Sequence, residues 1–276
     1  ILDHPEVFWV EDYTYVTSFV GNEISQRKIE CNYLISREEI EVANNTIPDG
    51  ILDIFQNIGS IDSQYDLVRG VYDWFVKNCT YNELNLDQTL YSAIVKKNGV
   101  CASFSKAFQF IMQCMGIPSI SVDGELKSGY TLLSSIFGHE WTMVYLDGSW
   151  YHVDVTSAIS SFKDNVINYS FLLVPTSLIE KTHVLDEGFI LPNANDDSLV
   201  FYNRFGTILE AYTREKASTA LGNSMALWEG KPLEVRFSQY RAYKDAFEDL
   251  INNQGIFSVI QDITGKNPEN LNYSIS

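Results

Sequence analysis

Cys101, His139 and Asp154 are the residues whose types and order fit covalent chemistry at an acyl carbon. A thiol can attack, an imidazole can carry the proton, and a carboxylate can hold the imidazole in one tautomer. Cys101 follows Gly99-Val100 and opens a stretch whose apolar residues recur at helical spacing. The sulfur therefore sits at a predicted helix N-terminus, where unpaired N–H groups and the helix dipole favour thiolate over thiol. His139 lies in Gly138-His139-Glu140-Trp141 and Asp154 in the segment from Trp150 to Thr156. Taken singly, each residue has an ordinary reading as a small buried cysteine, a core histidine or a capping carboxylate. Taken with their order and flanking residues, they read as nucleophile, base and orienter.

The elements that must position them are legible. Phe104, Ala107, Phe108, Ile111, Met112 and Met115 form one apolar stripe on the helix that Cys101 opens. Gly116 and Pro118 end it. His139 begins the strand-like run to Leu146, Asp147-Gly148 marks a tight turn, and Ser149 begins a returning strand. A two-residue loop pairs Leu146 with Ser149 and places Trp141 opposite Asp154. His139 is then diagonal to Asp154 on one face, about 7–8 Å apart at the backbone and within side-chain reach. A three-residue loop would throw Asp154 to the other face. His152 is a rival base that ranks below His139, because same-strand neighbours two residues apart point in parallel.

The pattern Gly99-Val100-Cys101, Gly116-Ile117-Pro118, His139-x-Trp141 and Trp150-x-x-x-Asp154-x-Thr156 resembles the transglutaminase-like superfamily of papain-fold cysteine enzymes. The helix-like run from Tyr65 to Asn78, Thr80-Tyr81-Asn82 and Ser92 to Val95 extend the likeness, which covers roughly residues 61 to 160. Ser103 and Ser105 stand where Gly and Ala are common in that family, and Thr142 where Asn is frequent. The resemblance implies an α+β fold: a papain/transglutaminase-like core, its nucleophile at a helix N-terminus packed on an antiparallel sheet, with N- and C-terminal α/β additions. It implies Cys101 as nucleophile, His139 as general base and acid, and Asp154 as orienter, acting on protein or peptide amides through a thioester. Acyl transfer, deamidation and peptide hydrolysis all remain open. The alternative is a catalytically silent binding or adhesion module of a bacterial surface protein.

The oxyanion requires donors. The Cys101 N–H is the first; Gln88 and Tyr91, just upstream, are candidates for the second, although each is equally an ordinary polar loop residue. Trp141 is expected to pack beside the site. A further likeness to bacterial surface proteins runs through Asp3 to Val10, Tyr169 to Leu173 and Lys181-Thr182-His183. It implies an extracellular or cell-surface location, with any signal or anchor outside this chain.

Composition sets the outer limits. The 276 residues, 45% hydrophobic, suffice for more than one domain. We divide them into a lead-in module (1–60), a catalytic core (61–160) and a C-terminal α/β extension packed on the core (161–276). With 19 basic against 36 acidic residues the net charge is −17, which argues against nucleic-acid and anionic-membrane partners. No apolar run reaches the approximately 18 residues of a membrane span. Cys31, Cys79, Cys101 and Cys114 allow three pairings, and none is expected. Cys114 is about 220° around the same helix from Cys101, so those two cannot meet. No Cys-x-x-Cys, His-x-x-x-His or calcium-spaced acidic loop is present, and neither a metal nor another cofactor is expected.

Outside the core, strands are expected at Val7–Val20, Lys28–Ile35, Asn168–Pro175, Ser198–Asn203, Pro232–Phe237 and Phe257–Ile260. Helices are expected at Arg37–Ala43, Ile51–Ile58, Ile208–Ala220 and Gln239–Asn252, and the connection from Gly124 to Phe137 could cover the thiol as a lid.

Overall fold

Asp147 and Gly148 both adopt left-handed backbone angles, φ 49° and 86°, the pair of positive values that a type I′ hairpin requires. They join strands β6 (His139–Leu146) and β7 (Ser149–Val153) in the two-residue-loop register, with Leu146 opposite Ser149 and Thr142 opposite Val153. Asp154 comes next, beyond the end of β7. The computed structural model describes residues 3–84, 87–127, 138–188, 190–227 and 233–268. Most of the proposed lid, residues 128–137, lies outside them; Gly124 to Leu126 belong to a strand.

The chain divides into two compact units, 1–197 and 198–276. All of the segments we had separated as 1–60 and 61–160 lie in the first, together with 161–197 from the expected extension. The fold is α+β. In chain order, the first unit holds hairpin β1 (Val10–Val20) and β2 (Glu23–Tyr33), then α1 (Arg37–Asn57) and α2 (Gln64–Asn78). Strand β3 (Thr80–Tyr81), α3 (Leu90–Ile94) and β4 (Asn98–Gly99) lead into α4 (Cys101–Cys114). Strand β5 (Ser119–Leu126), the β6–β7 hairpin, α5 (Val155–Ser161), α6 (Thr176–Ile179) and β8 (His183–Leu185) complete it. The main sheet is antiparallel, in the order β7-β6-β5-β8.

Helix α4 packs on β5 and β6, and Phe104, Ala107, Phe108, Ile111 and Met112 of its apolar stripe are fully buried. Phe75 of α2 meets Phe104 and Phe108 edge-on or tilted, which ties the preceding helix to the same core. Met115, expected to continue the stripe, is 44% exposed: it is the C-cap residue, and Gly116 at φ 74° turns the chain away.

Several expectations outside the core are corrected. Arg37–Ala43 and Ile51–Ile58 are parts of one 21-residue helix that runs through Pro48. It starts with a Ser36/Glu39 capping box and buries Ala43, Ile47 and Ile54, so packing on both sides of the proline offsets the lost backbone bond. The Asn168–Pro175 segment is a 3-10 turn at Tyr169–Phe171 followed by a single bridge from Val174 to His152.

In the second unit, Phe201–Arg204 is a short helix (α7) where Ser198–Asn203 had read as a strand. Ile208–Leu209 (β9) is a strand paired in parallel with Arg236–Phe237 (β10), and the helix expected from Ile208 begins only at α8 (Arg214–Leu227). Helix α9 (Tyr240–Phe247), with a π turn over Glu248–Asn252, fills the segment expected to be helical. Phe257–Ile260 lies in α10 (Gly255–Thr264). There Ile256, Val259 and Ile263 recur at helical spacing and join Ala217, Leu221, Ala246 and Leu250 in one cluster, so burial of that stripe overrides the local β-preference.

Core and hairpin predict different responses to truncation. Phe108→Ala should lower the unfolding free energy by about 3–5 kcal/mol. Tyr15→Ala, on the exposed β1–β2 hairpin, should change it by no more than about 0.5 kcal/mol. Urea denaturation of the two variants checks both.

Candidate active site

Asp154 is the N-cap of α5, and its Oδ1 accepts the backbone N–H of Ser157 at 3.0 Å. That position follows directly from the hairpin, because the chain leaves β7 and must turn into the helix. Its own N–H is held by the Phe171 carbonyl at 2.9 Å. The carboxylate is wholly buried, and Oδ2 lies 2.9 Å from Nε2 of His139 and 2.9 Å from Nε2 of His183. A carboxylate only accepts, so both Nε2 atoms carry the protons of these bonds. His139 therefore has Nδ1 left for the sulfur of Cys101.

Cys101 is the first residue of α4 and half-buried. Val100, the N-cap, offers no side-chain acceptor to the first N–H groups of α4, whereas Ser36, Ser63, Thr89 and Asp154 cap theirs. The Ser103 N–H turns to the Val100 carbonyl at 3.1 Å, and the donor capacity at the thiol end rests with the N–H groups of Cys101 and Ala102. Burial lowers the pKa of the His139 imidazolium, but the Asp154 charge and hydrogen bond, reinforced by a bond to and the charge of Cys101, raise it to about 10. Burial raises the Asp154 pKa, and the charge and hydrogen bond of His139 together with the His183 bond overcome that and hold it far below the usual carboxylate range.

Cys101 and His139 are also fixed from behind. Ser105, one turn into α4, donates to the Trp141 carbonyl at 2.9 Å and lies 3.0 Å from the Ser121 hydroxyl. Thr142 Oγ1 donates to the Ser105 carbonyl at 3.3 Å, and Ser121 donates to the buried Glu140 at 2.6 Å. Burial pushes the Glu140 carboxyl up. Ser105 and Thr142, two of the three positions that depart from the residues common in the resembled family, thus bond the Cys101 helix to the strand of His139. Ser103 turns back to the Val100 carbonyl at 2.6 Å, against Gly99, where a Cβ would fall 2.1 Å from the serine oxygen.

The other sequence candidates fall elsewhere. Trp141 is buried, stacks on His139 with ring centroids 5.9 Å apart, and donates Nε1–H to Nδ1 of His152 at 3.0 Å. His152 is thereby occupied, its Nε2 facing Thr176 at 3.1 Å; burial, with the nearby His183, lowers its pKa to about 3. Gln88 is exposed and its backbone carbonyl accepts from Lys106 at 3.3 Å, while the Tyr91 ring lies under the Lys96 ammonium at 5.2 Å. Among the described residues, neither side chain bonds to Cys101, His139 or Asp154.

Two residues given no role from the sequence come to the site. Tyr81 lies on β3 beside Gly99 of β4, and burial with the charges of Cys101, Glu83 and Asp154 keeps its phenol protonated, its pKa pushed up to about 12. His183 arrives from β8, 29 residues beyond Asp154 in the chain. The only signal for it was the likeness around Lys181-Thr182-His183. The ligand atoms of His139, Asp154 and His183 lie within 4.8 Å of one another, close enough to surround a metal ion. Both histidine protons already occupy the space between those atoms, and a metal would have to displace them.

All four cysteines are free. Burial pushes the Cys79 thiol up to about 12 and raises that of Cys114. No described helix is long and apolar enough to cross a membrane.

With this geometry, the match of residues 53–155 to the model of the transglutaminase-like superfamily acquires a chemical basis. Over those residues the chain is similar to a transglutaminase-like core. Two solved structures are similar to the chain over part of its length. One is a TGase, at 18% identity and TM-score 0.37, over 48% of this chain and 36% of its own. The other is a candidate cysteine protease from Cytophaga hutchinsonii, at 15% identity and TM-score 0.34, over 61% of this chain and 68% of its own. The chain thus spans little more than a third of that TGase. No curated protein is significantly similar to it.

Two buried histidines of this segment respond to pH with opposite signs. His139, raised from 6.5 to about 10, contributes stability fully present below pH 6.5 and lost as pH rises through 10. His152, lowered from 6.5 to about 3, contributes stability present above pH 6.5 and lost as pH falls through 3. Urea midpoints measured against pH should therefore fall on both sides of about 6.5. His139→Gln should flatten the alkaline limb and His152→Gln the acid limb.

Proposed function

We propose that this chain is a cysteine enzyme acting on protein or peptide amides, with Cys101 as nucleophile, His139 as base and acid, and Asp154 as orienter. The observation that carries the reading is the imidazole of His139, held through Nε2 by a buried carboxylate with its other nitrogen left for a thiol at a helix N-terminus. The Cys101 sulfur attacks the amide carbonyl, its proton residing on His139, and the C=O π electrons move to oxygen. The Cys101 N–H faces that oxyanion from the helix start, and we assign the second donor to the Tyr81 hydroxyl, which remains protonated beside the site. Collapse breaks the C–N bond, and His139 delivers its proton to the departing ammonia or amine. A thioester remains. Water or an amine then gives a proton to His139, attacks the thioester carbonyl and releases the thiolate.

The electrostatics favour an enzyme over a silent binding module, because a buried imidazolium held by a buried carboxylate is costly to maintain without use. The attacking group in the second step decides between crosslinking, deamidation and hydrolysis. The extracellular or cell-surface location implied by the likeness to bacterial surface proteins belongs to the same proposal.

The test is alkylation of the four cysteines by iodoacetamide across pH, read by peptide mass spectrometry. Cys101 should react fastest below about pH 7, and His139→Ala should remove that advantage; a Cys101 no faster than Cys114 would defeat the enzyme reading. Ammonia release from glutamine peptides marks transglutamination or deamidation, and chain cleavage without ammonia marks a peptidase. Tyr81→Phe should slow whichever reaction is found by about 10²–10³-fold in kcat.

A further inference from the structure

Among the described residues, His183 is the one buried partner of the Asp154 carboxylate that the proposed chemistry leaves without a task. It is wholly buried, and its Nε2 lies 2.9 Å from the same Oδ2 atom that holds His139. Its Nδ1 is 2.7 Å from Thr182 Oγ1, which in turn donates to the Ile179 carbonyl at 3.2 Å. The ring is thus fixed at both nitrogens. It also packs 4.9 Å from the Trp141 ring, 5.3 Å from His139 and 6.0 Å from Phe171.

The sheet explains how it gets there. His139 pairs with Gly124 of β5, and His183 pairs with Leu126, two residues further along the same face. The two histidines therefore meet diagonally across β5, where Gly124, opposite His139, has no side chain. A Cβ on Gly124 would lie 2.8 Å from the Trp141 ring and 2.2 Å from the Val184 carbonyl.

We infer that His183 is a positioning residue: its N–H bond to Asp154 fixes the carboxylate and draws on its charge, and so sets the pH at which the Cys101–His139 pair forms. The inference rests on the cysteine-enzyme reading above. The groups that face this carboxylate are His139 from β6, His183 from β8, the Ser157 N–H from α5 and, through space, Tyr81 from β3. Cys101 faces it across His139, and His152 lies on β7 near His183. Removing the His183 donor leaves more negative charge on Asp154, and also leaves Oδ2 less constrained. Both effects disfavour the thiolate, so the acid limb of Cys101 reactivity moves to higher pH.

The experiment is the pH profile of Cys101 alkylation in the full chain, comparing wild type, His183→Phe and His183→Gln. The phenylalanine variant should shift the acid limb upward by about one pH unit, while the glutamine variant, whose amide nitrogen restores the bond to Asp154 but not the second N–H that His183 directs at Thr182, should shift it by clearly less. A His183→Phe profile that superimposes on wild type, or a glutamine variant shifted equally far, overturns the role of His183 and leaves the enzyme reading standing. A wild-type limb at the pH of an ordinary thiol overturns both. Should the phenylalanine variant not fold, histidine nitrogen NMR on the wild type gives the answer. The hydrogen-bonded Nε2 proton of His183 should move when Cys101 is alkylated, and an unmoved resonance overturns the inference.

Discussion

A carboxylate with no exposure to water is stable only if nearly every lone pair it offers is taken, and the first unit is arranged around meeting that demand at Asp154. Two imidazole N–H groups and one helix N–H converge on it, from β6, β8 and α5. Each comes from a different element, so the position of Asp154 fixes the hairpin, the edge strand and the following helix relative to one another. The same bonds that relieve the buried charge hold the imidazole toward the thiol, so the constraint on folding and the requirement of the chemistry coincide.

The thiol is held by different means. Cys101 bonds through its sulfur to His139, and its place depends on α4 as a rigid body. That helix is anchored by its apolar stripe and by the bonds of Ser105 and Thr142 across to β6. Polar groups buried between a helix and a sheet are costly unless paired, and here the pairing fixes register where apolar packing alone would tolerate sliding. The serine and threonine that depart from the family pattern are accordingly part of the scaffold behind the site.

Local sequence rules failed where tertiary packing competed with them. Pro48 reads as a helix boundary, yet the helix continues because Ala43, Ile47 and Ile54 are buried on either side of it. Phe257-Ser258-Val259-Ile260 reads as a strand by composition, but its apolar residues also fit a helical stripe, and the cluster in the second unit selects that stripe. Met115 fits the α4 stripe by spacing and is exposed because the helix ends one residue earlier.

The sequence alone determined the thiol at the head of an apolar helix, the two-residue turn at Asp147-Gly148 and, through that turn, the face shared by His139 and Asp154. These are local properties: period, capping and turn chemistry act within a few residues, and the register of a hairpin follows from its loop. Only the tertiary structure decided that His183 would bond the same carboxylate oxygen, that the Tyr81 phenol would lie within reach of the charges of Cys101 and Asp154, and that, among the described residues, Gln88 and Tyr91 would not bond to Cys101, His139 or Asp154. Those placements depend on which strand lies at the edge of the sheet and which loops pack over it. They arise from contacts between residues far apart in the chain, for which no periodicity or spacing in the sequence provides a measure.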